Sequence, residues 1–140
     1  MREILFRGKR IENSEWVEGY FCADAIEQLY GCNTGMDGFI RRFDPEIHKS
    51  NMFEVDRETV GQFTGLTDRN GTKIFEGDVV KFKYFDDWIG KIEYDSDSAL
   101  FTVIFADGDD DYFGRVSCGD CEVIGNIYDN PELLEVSKSD

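Results

Sequence analysis

Apolar and polar positions alternate with a period of two over much of this chain, the spacing that puts one set of side chains on a core and the other toward solvent. Val80, Phe82 and Tyr84 interleave with Val79, Lys81 and Lys83. Trp88 to Tyr94, Leu100 to Phe105 and Cys121 to Tyr128 carry the same β-branched and aromatic signature. At the N-terminus, Ile4-Leu5-Phe6 and Glu15 to Phe21 read as two strands joined through the polar Gly8 to Ser14 segment. Between Thr64 and Phe75, an Asn70-Gly71 pair separates two strand-like arms and predicts a type I′ turn, whose two central residues need positive φ. Residues 22–52 are the least legible stretch. Gly31, Gly35 and Gly38 break it, Asp44-Pro45 marks a turn, and Ala23 to Tyr30 has the length of a helical turn or two. Asp129-Asn130-Pro131 stops the last strand, and Glu132 to Glu135 is expected as a short helix with Pro131 at its first position.

These elements predict an all-β chain with one or two short helices. Residues 76–135 have the scale of a small SH3-like or OB-like barrel, residues 1–75 form an N-terminal β-rich region, and residues 136–140 form a frayed tail.

Composition supports a folded chain: 140 residues, 41% hydrophobic, include 12 Phe, 6 Tyr and 2 Trp, far above what a disordered segment carries. Charge narrows the partners. Thirty Asp and Glu against 15 Lys and Arg leave −15, so a nucleic-acid phosphate would meet net repulsion unless a local basic patch reversed it. The load is uneven: residues 1–70 hold 9 basic and 13 acidic side chains, residues 71–140 hold 6 and 17. The charged start MREILFRGKR lacks the apolar stretch of a signal peptide, and no apolar run approaches the roughly 20 residues of a membrane span, which predicts a cytoplasmic protein with reduced thiols. Asn70-Gly71-Thr72 fits a glycosylation pattern, but with no secretory signal it is read as a turn.

Three blocks carry a resemblance. Met1 to Lys9 with Trp16-Val17-Glu18-Gly19-Tyr20 forms the first. The second runs from Thr59-Val60-Gly61-Gln62-Phe63-Thr64-Gly65-Leu66 through Asp68, Asn70 and Gly71 to Ile74-Phe75-Glu76-Gly77-Asp78-Val79-Val80. The third is Glu122 to Leu134. Together they resemble the YopX family of phage and prophage proteins. The resemblance implies a mostly β protein with a barrel-like C-terminal part, carried by temperate phages of low-GC Gram-positive hosts, and it implies no catalytic residues. Residues 22–52 and 106–121 match no fixed pattern of that family.

Motifs with chemical meaning weigh less than they first suggest. Cys118-Gly119-Asp120-Cys121 has the spacing of a zinc knuckle or a redox pair, and Cys22 and Cys32 would complete a four-thiolate set. Cys22 and Cys32 are nevertheless nine residues apart in the sequence interval between them, and Cys121 leads into a strand rather than a helix, so incidental thiols are expected and no metal or cofactor is assigned. His48 is the only histidine and has no nucleophile motif beside it, so no enzymatic constellation is assigned. Asp107, Asp109, Asp110 and Asp111, with Asp95 and Asp97, invite a calcium reading, but a loop starting at Asp107 has Tyr112 and Cys118 where an EF-hand needs Gly and Glu. A solvated hairpin loop is the better account. The three glycines Gly31, Gly35 and Gly38 lack the Lys-Ser/Thr of a phosphate loop.

Three function classes follow. The leading one is a phage accessory protein that binds another protein, host or viral, through aromatic anchors such as Trp16, Tyr20, Trp88 and Phe85. The second is a DNA mimic, in which Asp107, Asp109, Asp110 and Asp111 stand in for phosphates against a host nucleic-acid-binding protein. The third is an enzyme of unrecognised type. Self-association, as a dimer, is also expected, because the strand edges of the first seventy residues need covering.

Overall fold

The computed structural model describes residues 3–22, 38–83, 88–105, 110–112 and 121–136, and it is nearly all β. Among the described residues ten strands precede one short helix: β1 (Phe6–Arg10), β2 (Trp16–Cys22), β3 (Phe39–Asp44), β4 (Lys49–Thr67), β5 (Lys73–Phe75), β6 (Asp78–Phe82), β7 (Trp88–Asp95), β8 (Leu100–Phe105), β9 (Asp110–Tyr112), β10 (Cys121–Asn126) and α1 (Glu132–Val136). The expected helix after Pro131 is therefore present. Ala23 to Tyr30 lies outside the described residues. The chain divides into two compact units, Met1–Gln62 and Phe63–Asp140.

In the first unit four antiparallel strands close into a ring. β1 pairs with β2, β2 with β3, β3 with β4, and β4 returns to β1. The length of β4, 19 residues, makes this possible: Lys49 to Glu54 pair with β3, and then Val55, Asp56, Gly61 and Gln62 pair with β1. Between these two contacts with β1 the register shifts, and residues 57–60 form a bulge. Thr59 pins the bulge by accepting the Lys9 N–H at 2.9 Å and donating its hydroxyl to the Asp56 carbonyl at 2.6 Å. Val17, Ile40 and Val55 fill the ring, with Phe6, Phe21, Phe53 and Val60 packed around them. Each such side chain removed from water contributes about 1.5–3 kcal/mol. Gly19 is required by the closeness of β2 and β3, because a Cβ there would run into the Arg41 carbonyl oxygen and, at 2.9 Å, the Ile40 side chain.

The second unit is built on a five-stranded antiparallel sheet in the order β10-β6-β7-β8-β9, a meander whose last strand returns beside its first. That order is compatible with a small barrel, although among the described residues no pairing joins β9 to β10. Val80, Phe82, Ile92, Val103, Phe105 and Cys121 form one face of the core, and Ile74 of the β4–β5 hairpin packs against them. Phe82 and Phe105 meet edge to face at 5.7 Å. Alternation predicts that Val79 points to solvent, yet it is fully buried. It stands opposite Gly125 on the other side of the sheet, and Leu133 of α1 reaches over Gly125 there.

Two carboxylates hold the second unit's connections. Asp68, only 6% exposed, accepts the N–H groups of Asn70 and Thr72 on one oxygen and that of Val123, 55 residues away on β10, on the other. Burial pushes the Asp68 carboxyl up, but the three backbone donors and the charge of Arg69 outweigh it and hold the group below the ordinary aspartate value. Asp78, 1% exposed, accepts the Phe75 N–H at 2.8 Å across the turn at Gly77. The Asn70-Gly71 turn differs from the type I′ expectation. Of the pair only Gly71 has positive φ, +83°, and its N–H donates to the Asp68 carbonyl, closing a turn with Arg69 and Asn70 at its centre rather than Asn70 and Gly71. The Asp68 side chain selects this geometry by taking the N–H groups two and four residues ahead.

Three hairpins share another device. The loops Ile11–Ser14, Pro45–His48 and Ser96–Ala99 each end on a non-glycine residue with positive φ: Ser14 at 62°, His48 at 52° and Ala99 at 56°. Within them Asn13, Asp44 and Asp95 each accept the N–H two residues ahead. His48 is thus a turn residue, and Asp95 and Asp97 belong to a hydrogen-bonded hairpin tip.

Candidate interaction site

The ring of the first unit has an inside and an outside fixed by parity. Ile40 and Val55 face inward, so Arg41 and Phe43 stand on the opposite face, exposed, as does Phe39, which is buried there. Register then places Tyr20, Arg41 and Met52 directly opposite one another on β2, β3 and β4, with Phe43 two residues beyond Arg41 on the same face. Directly paired residues in such a sheet stand about 5 Å apart and diagonal ones about 7–8 Å. Three of the four are large apolar side chains in the open: Tyr20 is 61% exposed, Phe43 53% and Met52 45%. Arg41 donates to the Ser50 hydroxyl at 3.2 Å and has no carboxylate partner among the described residues.

On the adjoining outer face of β1 and β2, Lys9 stands opposite Trp16 and Arg7 opposite Glu18. The Arg7 guanidinium lies 4.7 Å from the Trp16 ring centre and the Lys9 ammonium 5.9 Å from it, both within cation–π range. Arg10 and Arg42 approach a second ring, Phe53, at 4.7 and 5.2 Å. Strands β1, β2 and β3 together carry Arg7, Lys9, Arg10, Arg41 and Arg42 against Glu18 and Asp44, a local excess of cations in a chain of net charge −15. Strand β4 returns some of this balance, with Glu54, Asp56 and Glu58 against Lys49 and Arg57, and in the β1–β2 turn Glu12 pairs with Arg10 at 2.8 Å.

The residues singled out from sequence fall into different places. Trp16 and Tyr20 share the outer face just described, Trp16 half-buried under its cations and Tyr20 open. Trp88, 45% exposed, lies at the end of β7 in the second unit with its ring edge-on to Phe105 at 5.2 Å. Cys121 is buried in the core opposite Phe82, while Cys118, Cys32 and Phe85 lie outside the described residues, as do Asp107 and Asp109. Asp110 and Asp111 belong to β9, paired with Ile104 and Val103 of β8. Among the described residues no group of three or more His, Cys, Asp and Glu is placed to hold a metal ion. Arg41, Phe43 and Met52 were missed. The signal that could have found them is the Asp44-Pro45 turn flanked by Phe39-Ile40-Arg41-Arg42-Phe43 and Met52-Phe53-Glu54-Val55, a hairpin in which both faces carry apolar residues.

The family model for the YopX protein matches residues 5–135. The chain belongs to the YopX family. Among solved structures, this YopX-family chain is similar to protein EF1440 from Enterococcus faecalis, with 24% identity, a TM-score of 0.52, and coverage of 96% of this chain and 99% of that one, a likeness that concerns the fold. No curated protein matches it. Among the described residues no helix is long and apolar enough to cross a membrane.

Proposed function

We propose that this YopX-family chain is a phage or prophage accessory protein that acts in the cytoplasm of its bacterial host by binding another protein. The observation that supports this reading is the row Tyr20–Arg41–Met52 with Phe43 beside it on the outer face of β2, β3 and β4. Single exposed apolar residues are ordinary on any protein surface, but a contiguous set is not. The residue types are those enriched at the centres of protein interfaces, where aromatics, Met and Arg supply most of the energy. A rigid sheet face holds them in place without a large ordering cost. The reading assigns binding and no catalytic step.

Affinity capture from a lysogenic host, followed by mass spectrometry, tests it. The unaltered chain is compared with a Tyr20→Ala, Phe43→Ala, Met52→Ala variant. A partner recovered in stoichiometric yield by the first and lost by the second is the expected result. A partner recovered equally by both overturns the assignment to this face. Loss only when Asp107, Asp109, Asp110 and Asp111 become Asn would transfer the role to this acidic segment and to phosphate mimicry.

A further inference from the structure

We infer that the partner segment docking on the β2–β3–β4 face presents a carboxylate between apolar side chains, so that the site recognises an apolar–acidic–apolar stretch of protein centred on Arg41. This rests on the reading of that face as a protein-binding surface and specifies its partner. Arg41 is the central member of the row, between Tyr20 and Met52, and Ser50 is its hydrogen-bond acceptor. Any occupant that buries the three apolar side chains also buries the guanidinium. An unpaired buried cation is costly, and one Ser hydroxyl cannot satisfy five N–H donors, so the occupant must bring acceptors. A carboxylate does this bidentately.

The alternatives fit the face less well. A second copy of this chain docked face to face about a two-fold axis would bring Arg41 against Arg41. A single-stranded nucleic acid could stack on Tyr20 and Phe43 and place a phosphate at Arg41, but its repeated charge meets a chain of net −15. On the same outer face Arg7 and Lys9 add positive charge, and Glu18 and Glu54 stand among them. This balance suits one or two carboxylates within an apolar segment better than a polyanion.

A displayed library of random dodecapeptides, panned on the full chain and on an Arg41→Glu variant, tests the inference. Against the unaltered chain, the selected peptides are expected to carry Asp or Glu flanked by Leu, Ile, Phe or Trp. Their binding should fall about tenfold or more with Arg41→Glu, which should itself select Lys or Arg at the same place. Selected peptides that need Tyr20, Phe43 and Met52 but show no acidic enrichment would overturn the inference and leave the protein-binding reading standing. Peptides that bind equally well after Tyr20→Ala, Phe43→Ala, Met52→Ala, or a library that yields none dependent on these side chains, would overturn both. A dimer dissolved by the triple substitution, or oligothymidylate bound at this face in place of peptide, would overturn the acidic-segment assignment.

Discussion

The two units of this chain are held together by different means. The first is a closed ring of four strands around a small apolar interior, and its fit depends on backbones brought close, as at Gly19 against the Arg41 carbonyl. The second has a larger core and is tied by buried carboxylates that accept backbone N–H groups, Asp68 across 55 residues and Asp78 across a turn. The comparison separates two kinds of information in the sequence. Much of the second block that marks the family, from Thr64 to Val80, consists of residues with structural tasks: Asp68 and Gly71 shape a turn, Gly77 and Asp78 another, and Ile74 and Val80 fill the core. Tyr20, Arg41, Phe43 and Met52, to which we assign binding, lie in the first unit, mostly outside those blocks.

The largest test of the contrast is Asp68→Ala. It removes the acceptor of three part-buried backbone donors at once, of which those of the exposed Asn70 and Thr72 can turn to water, and the expected loss is about 2–4 kcal/mol, read by urea or thermal unfolding. A loss below 1 kcal/mol would show that the carboxylate anchors nothing. Because the Asp68 carboxyl titrates below its ordinary value in the folded chain, its contribution is fully present above the unfolded value of about 3.9 and is lost as pH falls through the lower folded value. Unfolding followed from neutral pH into that acidic window should therefore show a drop that Asp68→Ala lacks.

In the first unit the corresponding change is Gly19→Ala, which should cost about 1–3 kcal/mol because β2 and β3 must move apart. Melting unaffected by this substitution would mean that the ring is slack. A smaller effect of opposite sign is expected at the hairpin tips. Ser14→Gly, His48→Gly and Ala99→Gly each relieve a left-handed backbone and should stabilise by about 0.5–1 kcal/mol after glycine's own entropy cost. The smallest concerns the acidic half: neutralising Asp107 and Asp109, with Asp110 and Asp111 of β9, to Asn should change stability by less than about 0.5 kcal/mol, as expected where none of the four carboxylates makes a structural bond. Loss of folding would show that they make structural bonds.

Most strands of the second unit were legible because each presents one apolar face to a core, as in Phe101, Val103 and Phe105 of β8. The β3–β4 hairpin was not, because Arg41, Phe43 and Met52 place aromatic, aliphatic and charged side chains on the outer face and blur the period of two. The residues proposed to bind are thus the ones that hide the strand. Ser14, His48 and Ala99 carried no signal for positive φ, since local hairpin closure rather than residue type sets it there. At Asn70-Gly71 the dipeptide suggested one turn, and the carboxylate two residues earlier imposed another. The strand edges that suggested self-association are, for β1 to β4, paired with one another.

Ring closure also sets an order in time. The pair Phe6 and Gln62 joins the first strand to a residue 56 positions later, so a chain emerging from the ribosome can form the β1–β2 hairpin long before β4 exists to cover the open side of β1. Until then the hairpin carries an unpaired edge beside Trp16 and Tyr20, and the bulge pinned by Thr59 is among the last features to form. Nascent chains stalled before Val55 should therefore be the species most prone to pair with one another, and release past Gln62 the step that removes that hazard.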